Sequence, residues 1–287
     1  MAPGNLRQDT TILSNAVRYE KQVMNEVSDP VQRLVDEMTR SGRGLRVLEA
    51  GAGSRSHIRL SGNTRLVGID ISKDQLDNNL ELDERIVGDI ETYPLEPCSF
   101  DIIFCWDVLE HLRHPEKALR NFLQALREDG IIVLGAPVVT SLKGIVTKYT
   151  PLWFHVMLFR YVVGNKNAGK KGHGPYPTFL RYSMSPRSIE RFADKNQLSV
   201  EYADVYEAMM QVRWKQQSLA VGLALRSLGI LCKIFSLGRV DPNVTDFTMV
   251  LRKSAKKSLA AAPSQGMMRP AELAGPLRSV ARYGKID

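Results

Sequence analysis

Residues 46–57 read RVLEAGAGSRSH. A short run of Val and Leu with no turn residue, then two glycines two apart, then Ser-Arg-Ser, describes a buried strand entering a tight turn and opening a helix from Ser54. Such a turn presents backbone N–H groups and the positive end of a helix to a ligand at the strand's carboxyl end. Alone it is a weak signal, because any strand-to-helix turn without a ligand has the same outline. A dinucleotide fingerprint wants a last Gly or Ala where Ser56 stands, which speaks against a pyrophosphate.

The sequence continues the alternation that this stretch begins. TRLVGID (64–70), RIVGD (85–89), FDIIFCW (100–106) and IIVLGAP (131–137) are strand-like, and segments near Lys73 to Leu80 and Pro115 to Glu128 have helical character between them. Val/Ile/Leu-rich strands separated by helical crossovers predict a doubly wound α/β domain, with a mostly parallel sheet covered on both faces. Upstream, Val23, Val27, Val31, Leu34, Val35 and Met38 recur at helical spacing, and Pro30 suits a first helical turn. After Pro137 the rhythm breaks into an aromatic and Gly/Lys-rich stretch too long for a simple loop. It resumes with a helix capped by Ser185 before Pro186 and with the strands LSVEYADVY and DFTMVLRK. The expected organisation is an N-terminal helical segment (1–43), a core (44–137), an inserted cap or lid (138–184), a C-terminal part of the sheet (185–253) with an amphipathic helical insertion at 207–240, and a flexible basic tail (254–287).

Composition bounds the function. The chain has 287 residues, 39 Lys and Arg against 31 Asp and Glu, and a formal charge of +8, so an anionic partner or surface is favoured. Cys98, Cys105 and Cys232 contain no close pair, which supports neither a disulfide framework nor a thiolate metal site and fits a cytoplasmic, reducing setting. No stretch offers the roughly 20 apolar residues that a bilayer span needs. No nucleic-acid-binding module is recognisable, so no nucleic acid is expected as partner.

Three acids stand at successive strand ends: Glu49, Asp70 and Asp89. In an open α/β sheet these ends meet at one cleft. Asp70 is placed for both hydroxyls of a ribose and Asp89 for an exocyclic amine, while the negative charge suits a cationic ligand better than a polyphosphate. S-adenosylmethionine has these properties, and its carboxylate has a natural seat on the N–H groups of the glycine turn.

With VLEAGAGS, LVGIDIS and IVGDIETYPLEPCSFDIIFCWDVLEHLRHPEKAL quoted in this order, the chain resembles the class I S-adenosylmethionine-dependent methyltransferases, in particular their ubiquinone and small-molecule branch. The resemblance covers residues 44–137 well and 182–252 loosely. It implies a seven-stranded sheet with its last strand antiparallel. It also implies cofactor contacts from Glu49, Gly51, Gly53, Asp70, Ile71, Asp89, Ile90, Cys105 and Trp106. The family's usual loop has a further glycine where this chain has Arg55, which is tolerable if that side chain points to solvent.

For catalysis, methyl transfer needs alignment and exclusion of water, and a base only when the acceptor must lose a proton. His111, just beyond the fourth strand, is the candidate base, with a loop-orienting role as the alternative. Asp107 and Glu110 read as loop-fixing or cofactor-proximal, and His114 as exposed. Acceptor choice belongs to the cap, where Trp153, His155, Tyr161, His173 and Tyr176 are the candidate substrate residues, with simple aromatic packing as the competing account. In 207–240 a narrow polar stripe, including Arg226, Gly229 and Lys233, borders a wide apolar face. That face needs cover from the cap, from a second subunit in a homodimer, or from an anionic membrane surface. The expected function is methylation, at oxygen, of a small or lipid-like acceptor. The alternatives are a non-catalytic binding module of the same fold, or an RNA or protein methyltransferase.

Overall fold

The computed structural model describes residues 30–40, 42–161, 164–170, 174–208, 211–212, isolated positions between 223 and 234, and 244–254. Seven strands form one sheet in the order β3-β2-β1-β4-β5-β7-β6. They are β1 (Leu45–Ala50), β2 (Thr64–Asp70), β3 (Glu84–Val87), β4 (Phe100–Trp106), β5 (Leu126–Pro137), β6 (Leu198–Tyr206) and β7 (Asp246–Lys253). Neighbours from β3 to β5 are parallel, and β7 runs antiparallel to both β5 and β6. The central strand β4 is buried along almost its whole length, whereas the edge strand β3 alternates half-buried with exposed positions. This difference is what a sheet covered on both faces imposes. The chain order reverses between β1 and β4, the point at which open α/β sheets hold their ligands.

Two apolar layers cover the sheet. One joins Leu48, Val67, Ile103, Leu119, Phe122 and Phe247, with α3 (Pro115–Ala125) and α6 (Pro186–Lys195) above it. The other joins Val47, Leu66, Ile102, Val133 and Val250 with Val31 and Val35 of α1 (30–40). Pro30 is the first described residue of that helix. α6 is capped by the Ser185 hydroxyl accepting from Ser188 N.

The helix expected from Ser54 does not form, and residues 51–63 are turns and irregular chain. The local reason is side-chain capture of the backbone. The Glu49 carboxylate accepts from His57 N at 2.7 Å, and Asp70 accepts from Gly53 N at 3.1 Å, so the donors that would begin a helix are held apart. Ile58 from this segment and the helix α1 cover the sheet instead, and Gln32 Nε2 donates to the Arg59 carbonyl at 2.9 Å to join the two. α2 (Lys73–Asn78) is capped by Ser72 and stops short of Leu80. β5 begins earlier than expected, at Leu126.

The interrupting segment carries α4 (Leu142–Tyr149) and α5 (Leu152–Tyr161), then a chain that returns through 174–180 to a short turn at Tyr182–Met184. Most of the 207–240 insertion, the first 29 residues and the tail beyond 254 lie outside the described residues. Within the insertion, Leu223, Ile230, Leu231, Ile234 and Lys233 are exposed and Gly229 is buried, so the described residues do not cover the apolar face at these positions.

Candidate active site

The three acids stand at the same end of the sheet. Asp70 pairs in register with Val87, and Gly88 N donates to the Asp70 carbonyl at 3.0 Å, which brings Asp89 to the strand end beside it. Glu49 lies on the adjacent strand, one residue before the β1 terminus. Its side chain is buried. One carboxylate oxygen accepts from the His57 N–H and approaches His57 Nδ1 at 3.1 Å, and the other has no protein partner. A buried carboxylate oxygen left in this way suits a donor brought by a ligand, an ammonium above all.

Gly51, at φ +77°, makes the turn. A Cβ there would stand 2.2 Å from a Val108 methyl, so the residue after β1 must be glycine both for its backbone angle and for the loop after β4 to close against it. Gly53, at φ +51°, faces Gln75 of α2. Arg55 is exposed, consistent with a side chain pointing to solvent where the family carries glycine.

The seat proposed for a carboxylate on the turn does not hold in its simple form. Gly51 N and Ala52 N both donate to the Ile69 carbonyl, at 2.7 and 3.2 Å, and Gly53 N is taken by Asp70. These bonds tie β1 to β2 and hold the Asp70 carboxylate, which also accepts from Ser72 N at 2.8 Å. Ile71, beside it, is 77% exposed, a large apolar side chain left at the rim of the cleft. Asp89 is exposed, with one oxygen accepting from Glu91 N.

Two expected cofactor residues point elsewhere. The Cys105 side chain is fully buried in the layer with Leu119 and Phe122, and burial, reinforced by Glu110 and Asp107, pushes its thiol well up. Ile90 packs its side chain in that same layer, and its carbonyl accepts from Asn121. The alternation of a strand, or a tight turn after it, sends such side chains into the core and leaves only backbone at the cleft. Trp106 is half-buried, stacked on Phe104 at 5.5 Å and lying over Gly135.

The loop after β4 carries the remaining groups. Asp107 adopts φ +53°, its N–H donating to the Gly135 carbonyl. Glu110 is buried, with one oxygen unpartnered, and burial followed by the charge of Asp107 holds its carboxyl well above the usual range. The Glu110 carbonyl accepts from Phe179 N and Leu180 N, at 2.8 and 3.1 Å. His111 Nδ1 lies 2.8 Å from the Pro177 carbonyl, which can only accept, so Nδ1 carries the proton and Nε2 the lone pair. Burial lowers the His111 pKa below its usual 6.5, partly offset by that bond. His114 is exposed at its expected helix entrance.

Among the described substrate candidates, Tyr176 alone is brought to the cleft. Its hydroxyl accepts from Gln75 Nε2 at 2.9 Å, and its ring meets His111 edge-on at 6.0 Å. Trp153 and Tyr161 are 66% and 82% exposed on α5, and His155 Nε2 pairs with Thr150 Oγ1 at the start of that helix, so all three belong to the cap's own surface and folding. His173 lies outside the described residues. Residues with no sequence signal also enter. Gln75 latches the cap, His57 holds Glu49, and Lys143 pairs with Asp246 at 2.8 Å across 103 residues, at the cleft end of β7.

The orphaned Glu49 oxygen, the two glycines without a Cβ, and Asp70 beside exposed Ile71 fit an adenosyl sulfonium with an ammonium group. Residues 48–134 match the family model of a methyltransferase domain. A 37.1 kDa protein of transposon TN4556 from Streptomyces fradiae is 31% identical over 142 residues, covering 47% of this chain and 39% of that relative. The chain thus matches well under half of that relative's length. Similar solved structures include an S-adenosylmethionine-dependent methyltransferase from Mesorhizobium loti, at 13% identity and TM-score 0.46, covering 80% of this chain and 99% of that one. Another is phosphoethanolamine N-methyltransferase 2 of Haemonchus contortus, at 19% identity and TM-score 0.45, covering 79% and 53%. The strands and turns that carry Glu49, Gly51, Asp70 and Asp89 all lie within residues 48–134, the stretch that matches the methyltransferase-domain model.

Proposed function

We propose that the protein methylates a small or lipid-like acceptor at a hydroxyl oxygen, with His111 as the proton acceptor. S-adenosylmethionine, when bound, supplies a methyl group activated on a sulfonium. The chain's part is to hold it, to orient the acceptor and to receive one proton. His111 Nε2 would accept the proton that the acceptor hydroxyl loses on methylation, S-adenosylhomocysteine being the other product.

The observation that carries this reading is the Nδ1 contact with the Pro177 carbonyl, which leaves Nε2 as an acceptor, together with burial that keeps the ring neutral near pH 7. The returning chain 174–180 bonds to both His111 and Gln75, and so supports exclusion of water from the cleft. An apolar acceptor is supported by the Ile71 side chain left exposed at the rim of the cleft and by the Tyr176 ring against His111.

Calorimetric titration with S-adenosylhomocysteine, followed by turnover of phenolic and prenylated hydroxyl acceptors with wild type and His111→Gln, tests it. Saturable binding, turnover of such acceptors and a loss of about 10²–10⁴-fold in the variant are expected. Binding without turnover of any hydroxyl acceptor would reject O-methylation. Equal rates for the two proteins would reject His111 as base.

A further inference from the structure

The helix α5 reads LWFHVMLFRY and buries none of its residues. Trp153, Met157 and Tyr161, spaced by four, form one stripe along it and are 66%, 41% and 82% exposed, with Leu152 beside them at 40%. Ile145 and Tyr149, one turn apart on α4, are exposed as well. A soluble surface seldom carries so many large apolar side chains on one short segment without something to cover them.

The charge around this segment is one-sided. From Gly130 to Ile189 the chain has eight Lys and Arg and no Asp or Glu. Three of these cations gather at the carboxyl end of α5. Arg160 Nε donates to the Ala168 carbonyl at 3.0 Å, and Asn165 N donates to the Phe159 carbonyl at 3.0 Å. These bonds fold the 164–170 loop back onto the last turn, so that exposed Lys166 and Lys170 stand beside Arg160 and Tyr161.

An apolar stripe of Trp, Met and Tyr in a segment whose only charged residues are cations is complementary to the anionic headgroups and upper acyl region of a bilayer. A second copy of the chain fits poorly, because a two-fold contact sets each patch against itself and opposes like charges. No helix among the described residues is long and apolar enough to cross a membrane, so the contact is one that lies on the surface. We infer that α4, α5 and the 164–170 loop form a docking surface for an anionic lipid bilayer. The insertion that carries this surface also supplies Tyr176 to the cleft, so docking brings the cofactor site to the bilayer. The inference deepens the reading of a lipid-like acceptor, and its test is independent of turnover.

The full chain is sedimented with vesicles of phosphatidylcholine alone and of phosphatidylcholine mixed with phosphatidylglycerol, at low and high salt. Wild type, Trp153→Glu with Met157→Glu, and Lys166→Glu with Lys170→Glu are compared, and S-adenosylhomocysteine affinity is measured in solution for each. Expected are binding to the anionic vesicles, loss of binding to neutral vesicles or in high salt, and an affinity about tenfold lower in each double variant, with unchanged cofactor affinity. Absence of vesicle binding, or binding indifferent to both double variants, overturns the proposal. So does a salt-resistant dimer in sedimentation velocity that Trp153→Glu with Met157→Glu dissociates, which would assign the stripe to a second copy. Vesicle binding with no cofactor binding would instead strike only the methyltransferase reading.

Discussion

The Tyr176 hydroxyl and Gln75 Nε2, 101 residues apart in the chain, meet at 2.9 Å and pin the returning cap segment to the helix that follows β2. The bond is exposed, so its value is that of one neutral hydrogen bond, about 0.5–1.5 kcal/mol. Tyr176→Phe should therefore release the product S-adenosylhomocysteine roughly 2–10 times faster. Stopped-flow displacement is the measurement, and an unchanged rate would mean that the cap does not retain the cofactor.

Protonation of His111 should set the acid limb of the rate. Burial holds its pKa below 6.5, so the neutral base is present at pH 7 and is lost as pH falls through the lowered value. The kcat/KM profile should be flat at neutral pH and fall on the acid side of 6.5, through the lowered pKa, and His111→Gln should remove that limb along with most of the rate. A limb that persists in the variant would assign the titration to another group.

Glu110 makes stability depend on pH in the opposite sense from a paired carboxylate. Its folded pKa is raised, first by burial and then by Asp107, above the ordinary 4.5. The folded state thus keeps a proton that the unfolded state loses as pH rises above 4.5, and stability declines over that range until the folded group also ionises. Glu110→Gln carries no such penalty. Its Tm should match wild type near pH 4.5 and exceed it by pH 8, at about 2–4 °C per kcal/mol, by differential scanning fluorimetry. A difference that shrinks with rising pH would reject a raised pKa.

At the opposite end of β4, Asp101 is buried and its carboxylate accepts from Arg43 Nη2 at 2.7 Å, Arg127 Nη1 at 2.6 Å and the Arg46 N–H at 2.9 Å. Asp101→Asn withdraws the charge from this three-sided clamp. The two guanidiniums are 62% and 40% exposed and regain water, which limits the cost to about 2–3 kcal/mol. Thermal denaturation should show a fall of roughly 5–10 °C. Cofactor affinity should be unchanged, because the clamp lies a strand's length from the cleft.

The alternation of apolar strands with helices was legible residue by residue, and LRVLEA, TRLVGID, FDIIFCW, LSVEYADVY and DFTMVLRK are strands with the bounds their composition suggests. A buried strand declares itself through an unbroken apolar run, and the three acids at strand ends follow from it, since position along a strand determines which end of the sheet a residue reaches. Local pattern failed where side chains compete for the backbone. The helix after Gly53 is absent because Glu49 and Asp70 take its donors, and the bond to Asp70, with those of Gly51 N and Ala52 N to the Ile69 carbonyl, occupies the turn that was to seat a carboxylate.

What the sequence by itself determined is the sheet, its strand-end acids and the glycine turn, all of which depend on near neighbours and on the period of the chain. Only the tertiary structure decided which cap residue reaches the cleft, that Ile90 and Cys105 turn into the core, and that Lys143 finds Asp246. Such pairings join residues many tens of positions apart. They arise from how packed layers fold back on one another, which no local periodicity encodes.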